Sequence, residues 1–276
     1  MDKTKNINPI RWILLMIVGM LVFTLLYSIA QVPGVLAKGY VSQCNGSIIF
    51  AGFLLLIYIW WREIIERGDA DDLPIRKMLP DTCLGLTIGL IYFIVVVGVM
   101  MLCGVYSIKS VQFDLITQLP AFCLFLVVGV GEEIIFRGIL FRMIDRRWNT
   151  TVALVISALL FGLIHIWNDN ATLWSSLAIA VEAGVLLGAA YKYSGTLWLP
   201  IGIHWAWNYT QGNIFGFAVS GNSFGQSIIT PCISGGELLT GGAFGAEASL
   251  ISVVAGILLA SWFLYKIYRR SIGSPA

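Results

Sequence analysis

Eight long apolar runs set what this chain can fold into. Stretches of about 20 apolar residues, the length that crosses a hydrocarbon core of ~30 Å, fall near 10–30, 45–61, 84–105, 119–146, 149–167, 172–190, 197–212 and 249–268. Only 12% of the residues are charged, about half the load of a soluble globular chain. The expected architecture is therefore all-α: a polytopic membrane protein of about eight transmembrane helices in a single bundle, with 1–276 as one membrane domain. No internal repeat or second domain is visible. The first run, Ile13 to Ala30, exceeds the 7–15 residues of a signal-peptide core.

Orientation follows from the basic residues. With the N-terminus inside, 15 of the 17 lysines and arginines fall on inner segments, and only Lys38 and Lys109 fall outside. That asymmetry predicts two cytoplasmic termini and an even helix count. No basic tract with interleaved aromatics points to nucleic acid. The five cysteines show no metal-ligand spacing and read as small hydrophobes in or near the membrane. The run Arg62 to Lys77 reads as a solvated cytoplasmic loop. Trp60, Trp61 and Trp198 read as interface anchors. The long connection 212–248 is Gly-rich and placed outside; its Glu237 and Glu247 read as solvated, and "IFGFAV" as a re-entrant piece.

Against this background "GVGEEIIFRGIL", Gly129 to Leu140, puts three charges in six positions. A lone charge at a helix centre costs roughly 2.5–3.5 kcal/mol on insertion scales. Glu133 and Arg137 lie four apart in the favourable acid-first order and can pair. Glu132 is rotated by about 100° from Glu133 and is left over. The only two histidines, His165 and His204, both fall in apolar segments, with Asn208 one turn after His204. If the fourth and fifth helices form a hairpin turning near Arg147–Asn149, Glu132 and His165 are equidistant from the turn. His204 lies about nine residues beyond a second turn at Ser194–Gly195, a spacing that permits all three to approach one level, expected in the inner half of the membrane. Another intramembrane acid, Glu182, reads as structural, accepting a hydrogen bond near the site. A Glu–His–His–Asn cluster suits a hydrolytic site, a metal site or an ion pathway.

The three patterns EExxxR (Glu132, Glu133, Arg137), FxxxH (Phe161, His165) and HxxxN (His204, Asn208), on successive segments, resemble the CAAX protease and bacteriocin-processing family of membrane proteins. The resemblance covers a core at about 119–213 and implies an intramembrane endopeptidase similar to the type II CAAX prenyl proteases. Carried over by position, Glu132 with His165 would activate water, and His204 with Asn208 would stabilise the oxyanion. Glu133, Arg137 and Phe161 would support them. No cofactor is expected on this reading; the alternative is zinc or another divalent metal held by Glu132, His165 and His204, although these come from three helices and form no HExxH. "GFAVSG" and "GGAFGAEAS" resemble the outer loop of bacterial members, which implies the bacterial cytoplasmic membrane. The partners implied are the lipid bilayer and a peptide or membrane-protein substrate, either prenylated or a peptide precursor. Some relatives serve instead in bacteriocin immunity or as non-catalytic scaffolds.

Overall fold

The computed structural model describes residues 8–273; Lys3 and Lys5, used above for orientation, lie outside them. Its elements in chain order are α1 (Pro9–Leu36), α2 (Tyr40–Trp60), α3 (Ile75–Leu102), β1 (Tyr106–Val111), α4 (Leu115–Glu133), α5 (Arg142–Arg147), α6 (Thr150–Ile164), α7 (Leu173–Ile179), α8 (Val185–Ser194), α9 (Trp198–Tyr209), β2 (Ile229–Ile233), α10 (Glu237–Thr240) and α11 (Leu250–Gly273). Widened π-helical turns join several of these: Ile134–Phe141 links α4 to α5, Ala180–Gly184 links α7 to α8, and Thr210–Ile214 extends α9. Among the described residues, seven helices are long and apolar enough to cross a membrane. The eighth expected segment is the shorter α9, buried along almost all its length.

The helices begin where polar side chains can satisfy the first free amides. Asp114, Asn149 and Thr172 each accept a backbone N–H at the start of α4, α6 and α7. Gly195 ends α8 in the left-handed region, φ 69°, where glycine carries no Cβ penalty. Close packing then rests on small residues. A Cβ at Gly85 would overlap the Leu199 carbonyl, and one at Gly202 the Thr82 carbonyl, so α3 and α9 meet backbone to backbone. With Gly89 on the same stripe, this is the small-xxx-small contact that lets membrane helices approach closely.

The bundle has two distinct ends. At one, Trp12 near the start of α1 packs on Trp148 with ring centroids 5.5 Å apart. Lys192 pairs with Asp145 at 2.7 Å, and Arg270 near the end of α11 donates to the Tyr193 carbonyl. Both described chain ends therefore lie here. The other end carries the antiparallel β1–β2 pair and the segment 215–249.

Residues Arg62 to Lys77 are only in part the solvated loop expected from their charge: Glu63, Arg67, Asp69 and Asp71 are exposed. Arg62, Glu66 and Asp72 are buried and build an ionic lattice with Arg142. Arg142 Nη2 reaches both Glu66 oxygens, at 2.8 and 2.7 Å. Arg62 Nη1 reaches Asp72 Oδ1 at 3.1 Å, while Tyr58 and Tyr191 donate to Asp72 Oδ2 at 2.7 and 3.2 Å. Each charge has an opposite partner, which offsets the desolvation that would otherwise hold the segment in water. Two of the expected interface anchors are interior as well: Trp61 donates to Glu66 at 3.0 Å and Trp198 to the Pro74 carbonyl at 3.2 Å. Trp60 is exposed, as expected.

Candidate active site

The glutamate motif sits where α4 gives way to the π-helical turn. Two glycines before it make room for neighbours. Gly129 faces the backbone of α9 at Ile201 and Trp205, and a Cβ at Gly131 would strike the ring of Tyr27 on α1. Tyr27 is thereby placed to donate to Glu132 Oε1 at 2.9 Å. Glu132 Oε2 has no hydrogen-bond partner among the described residues.

Glu133 faces the other way, as the helical rotation requires. Arg137 Nη1 donates to its Oε1 at 2.8 Å, with both side chains fully buried. The same oxygen lies 2.9 Å from His204 Nδ1. The second Arg137 nitrogen, Nη2, donates to the carbonyls of Ala183 and Gly184, at 3.2 and 3.1 Å. Those carbonyls border the π-helical turn of the α7–α8 segment, where the regular i→i−4 ladder is interrupted. The guanidinium also lies over the Phe161 ring, 4.6 Å from its centroid. Phe161 in turn packs against His165 and His204, with centroids at 5.0 and 6.0 Å.

His165 caps the end of α6. Its Nδ1 lies 2.6 Å from the Phe161 carbonyl. A carbonyl only accepts, so Nδ1 carries the proton and Nε2 of the neutral ring is an acceptor. His204 Nε2 is 3.8 Å from Glu132 Oε2, too far for a hydrogen bond and suited to an atom held between them. Asn208, one turn further along α9, shares the same wall. Glu132, His165, His204 and Asn208 thus line one cleft of about 290 Å³. Glu133, Arg137 and Phe161 stand behind it.

Glu132 lies 17 residues from Leu115 and 15 from Arg147, near the middle of the continuous helical stretch Leu115–Arg147, while His165 stands at the end of α6. The cleft opens toward the β1–β2 end, where Asn168 and residues 219–224 complete its rim. "IFGFAV" runs into this rim, with Phe217 and Val219 buried.

Tyr27 was not legible in the sequence: it is 105 residues from Glu132 and stands among Thr24, Ser28 and Gln31 with no spacing that ties it to the motifs. Glu247 was read as solvated, yet it is only 2% exposed. It accepts the Ser220 backbone N–H and the Trp207 indole N–H at 3.4 Å, in the wall of a smaller cavity shared with His165, His204 and Asn208. Glu237 is exposed, as read. Glu182 is buried away from the cleft, accepting from Tyr92 at 3.2 Å. Among the described residues, no group of three or more His, Cys, Asp or Glu side chains is placed to hold a metal ion. All five cysteines are free, with Cys44 and Cys123 buried.

Residues 115–210 match the family model described as type II CAAX prenyl endopeptidase Rce1-like. The matched stretch runs from α4 through α9 and holds all three motifs. No curated protein matches the chain.

Proposed function

We propose, from the premise of a region built like a type II CAAX prenyl endopeptidase, that this integral membrane protein is an endopeptidase whose chemistry centres on Glu132. The observation that carries the reading is the 3.8 Å separation of Glu132 Oε2 and His204 Nε2 in a cleft also lined by His165 and Asn208.

Tyr27 occupies Oε1 of Glu132, which leaves Oε2 as the base. Oε2 takes a proton from water that His165 Nε2 helps to hold, and the water oxygen attacks the peptide carbonyl carbon. The carbonyl π pair moves to oxygen, where the Asn208 amide and His204 Nε2–H donate to it. With Nδ1–H committed to Glu133, His204 donates from Nε2 only as an imidazolium, and Glu133 is the adjacent counter-charge. As the C–N bond breaks, protonated Glu132 returns its proton to the departing amine. Glutamate chemistry of this kind uses no cofactor. The alternative is zinc or another divalent ion at Glu132, His165 and His204, and purified protein that keeps full turnover in chelator separates the two.

The topology proposed with this reading has both termini in the cytoplasm. The test is cleavage of a membrane-bound peptide substrate by purified protein in proteoliposomes. Glu132→Gln and His165→Ala are expected to abolish turnover while folding normally. Turnover retained by Glu132→Gln would remove Glu132 as the base, and full rescue of a deletion phenotype by a turnover-dead Glu132→Gln would establish a non-catalytic scaffold or immunity role instead.

A further inference from the structure

We infer that the cleft faces the non-cytoplasmic side of the membrane and takes a neutral, largely apolar peptide segment presented from that side. The nature of the ligand rests on the peptidase reading; the direction in which the cleft opens does not.

Three observations converge. The first is where the cleft is closed. Toward the end that holds both chain ends, the floor is Glu133 and Arg137, neither of them exposed. Below it come Ile139 and Phe141, also fully buried, and then the lattice of Arg62, Glu66, Asp72 and Arg142. Tyr58 ties this plug to the π-helical turn by donating to the Gly138 carbonyl at 2.9 Å. No lining residue of the cleft comes from the loops at that end, whereas Gln31, Asn168, Ser220, Asn222 and Phe224 come from the other.

The second is charge. Among the described residues, twelve lysines and arginines stand at the closed end, and only Lys38 and Lys109 at the open end. Setting aside Arg62 and Arg142, whose charges are matched inside the lattice, the split is still ten to two. Basic residues are retained on the cytoplasmic side of membrane proteins, so the plug faces the cytoplasm and the mouth faces away from it.

The third is the chemistry of the lining. Apart from the catalytic constellation, the walls are apolar at Phe125, Val128, Ile164 and Val219, with neutral donors and acceptors at Gln31, Asn168 and Asn222. There is no lysine or arginine to pair with a free C-terminal carboxylate, the usual partner such a group finds. The neutral amides suit the backbone of a segment passing through. The fitting substrate is a translocated or non-cytoplasmic juxtamembrane stretch of a membrane-bound polypeptide, cleaved internally.

Facing and cleavage are tested separately. In a background with exposed Cys83, Cys103 and Cys232 changed to serine, single cysteines are placed at the exposed rim (Ser223→Cys) or in the opposite loop (Asp69→Cys). Intact cells are then treated with a sulfonated, membrane-impermeant maleimide. Ser223→Cys is expected to label in intact cells and Asp69→Cys only after permeabilisation; the reverse pattern overturns the inference, whether or not the protein is a peptidase. In the second arm, one membrane-anchored reporter carries the same apolar segment on either side of its anchor. Glu132-dependent cleavage only of the non-cytoplasmic version is expected. Cleavage only of the cytoplasmic version overturns the substrate assignment, and Glu132-independent loss of both removes the peptidase reading while the facing stands on its label.

Discussion

His204 Nδ1 and Glu133 Oε1 lie 2.9 Å apart, and Arg137 donates to that same oxygen at 2.8 Å. One carboxylate thus holds the helix of the first motif to the helix of the third. Removing its charge leaves Arg137 buried without its counter-ion, and breaking one partner of such a pair costs about 3–5 kcal/mol. Glu133→Gln is therefore expected to lower the thermal unfolding temperature in detergent sharply. The double variant Glu133→Gln/Arg137→Met should recover much of that stability without recovering turnover, because His204 still lacks its anionic partner. Recovery of both would reduce Glu133 to a packing role.

Tyr27 donates to Glu132 Oε1, and its ring fills the space that Gly131 leaves open. Tyr27→Phe keeps the ring and loses the hydroxyl. A hydrogen bond to a charged group contributes about 1.5–3 kcal/mol, so kcat is expected to fall roughly 10- to 100-fold with little change in KM. A raised KM with kcat unchanged would show that the hydroxyl serves substrate binding instead. Gly131→Ala should act through the same contact, by displacing the ring.

The sequence and the structure agree where charge is scarce. In a chain this apolar, Glu132, Glu133, Arg137 and the two histidines stand out against their surroundings, and i, i+4 geometry is enough to separate the paired glutamate from the free one. The helices were legible for the same reason. What stayed hidden depends on three-dimensional neighbours: Tyr27 is one of several aromatics in α1, and only the Gly131 gap marks it. Arg62, Glu66 and Asp72 looked solvated because their partner Arg142 is 76 residues from Glu66. The side on which the cleft opens was hidden as well, because α6 is short enough that His165 stands at its far terminus, which an apolar run with no sharp boundary does not reveal.

The α3–α9 contact supplies a test that leaves the catalytic side chains untouched. Gly85→Ala would push the Leu199 carbonyl away, and α9 carries His204 and Asn208. Overpacking of this kind costs typically 1–3 kcal/mol. The expected result is a protein that still inserts, unfolds at lower temperature and loses turnover through kcat. An alanine at Gly52, which has open space around it, should leave turnover unchanged.

Glu247 gives the pH dependence. It is buried beside the Ser220 amide and the Trp207 indole, and burial pushes its carboxyl up to about 7, against the pull of those hydrogen bonds. The acids and bases around it are Glu182, reached through Tyr92, which stacks on Trp207 with centroids 4.2 Å apart, and His165 and His204 across the small cavity. A carboxyl whose folded value is raised binds its proton more tightly in the fold than in the unfolded chain. Its stabilising contribution is complete below the unfolded value, declines as pH rises toward 7, and is gone above it. The shift from an ordinary carboxylate corresponds to about 3 kcal/mol. Glu247→Gln keeps an acceptor for the Ser220 amide but cannot titrate. Comparing thermal unfolding of the two proteins at pH 5 and pH 8, the parent should lose more stability on going to pH 8 than the variant. Parallel curves would mean that Glu247 does not titrate in this range. Glu247→Ala removes the acceptor altogether and frees the rim at Ser220, so it should raise KM while leaving the bond-breaking constellation in place.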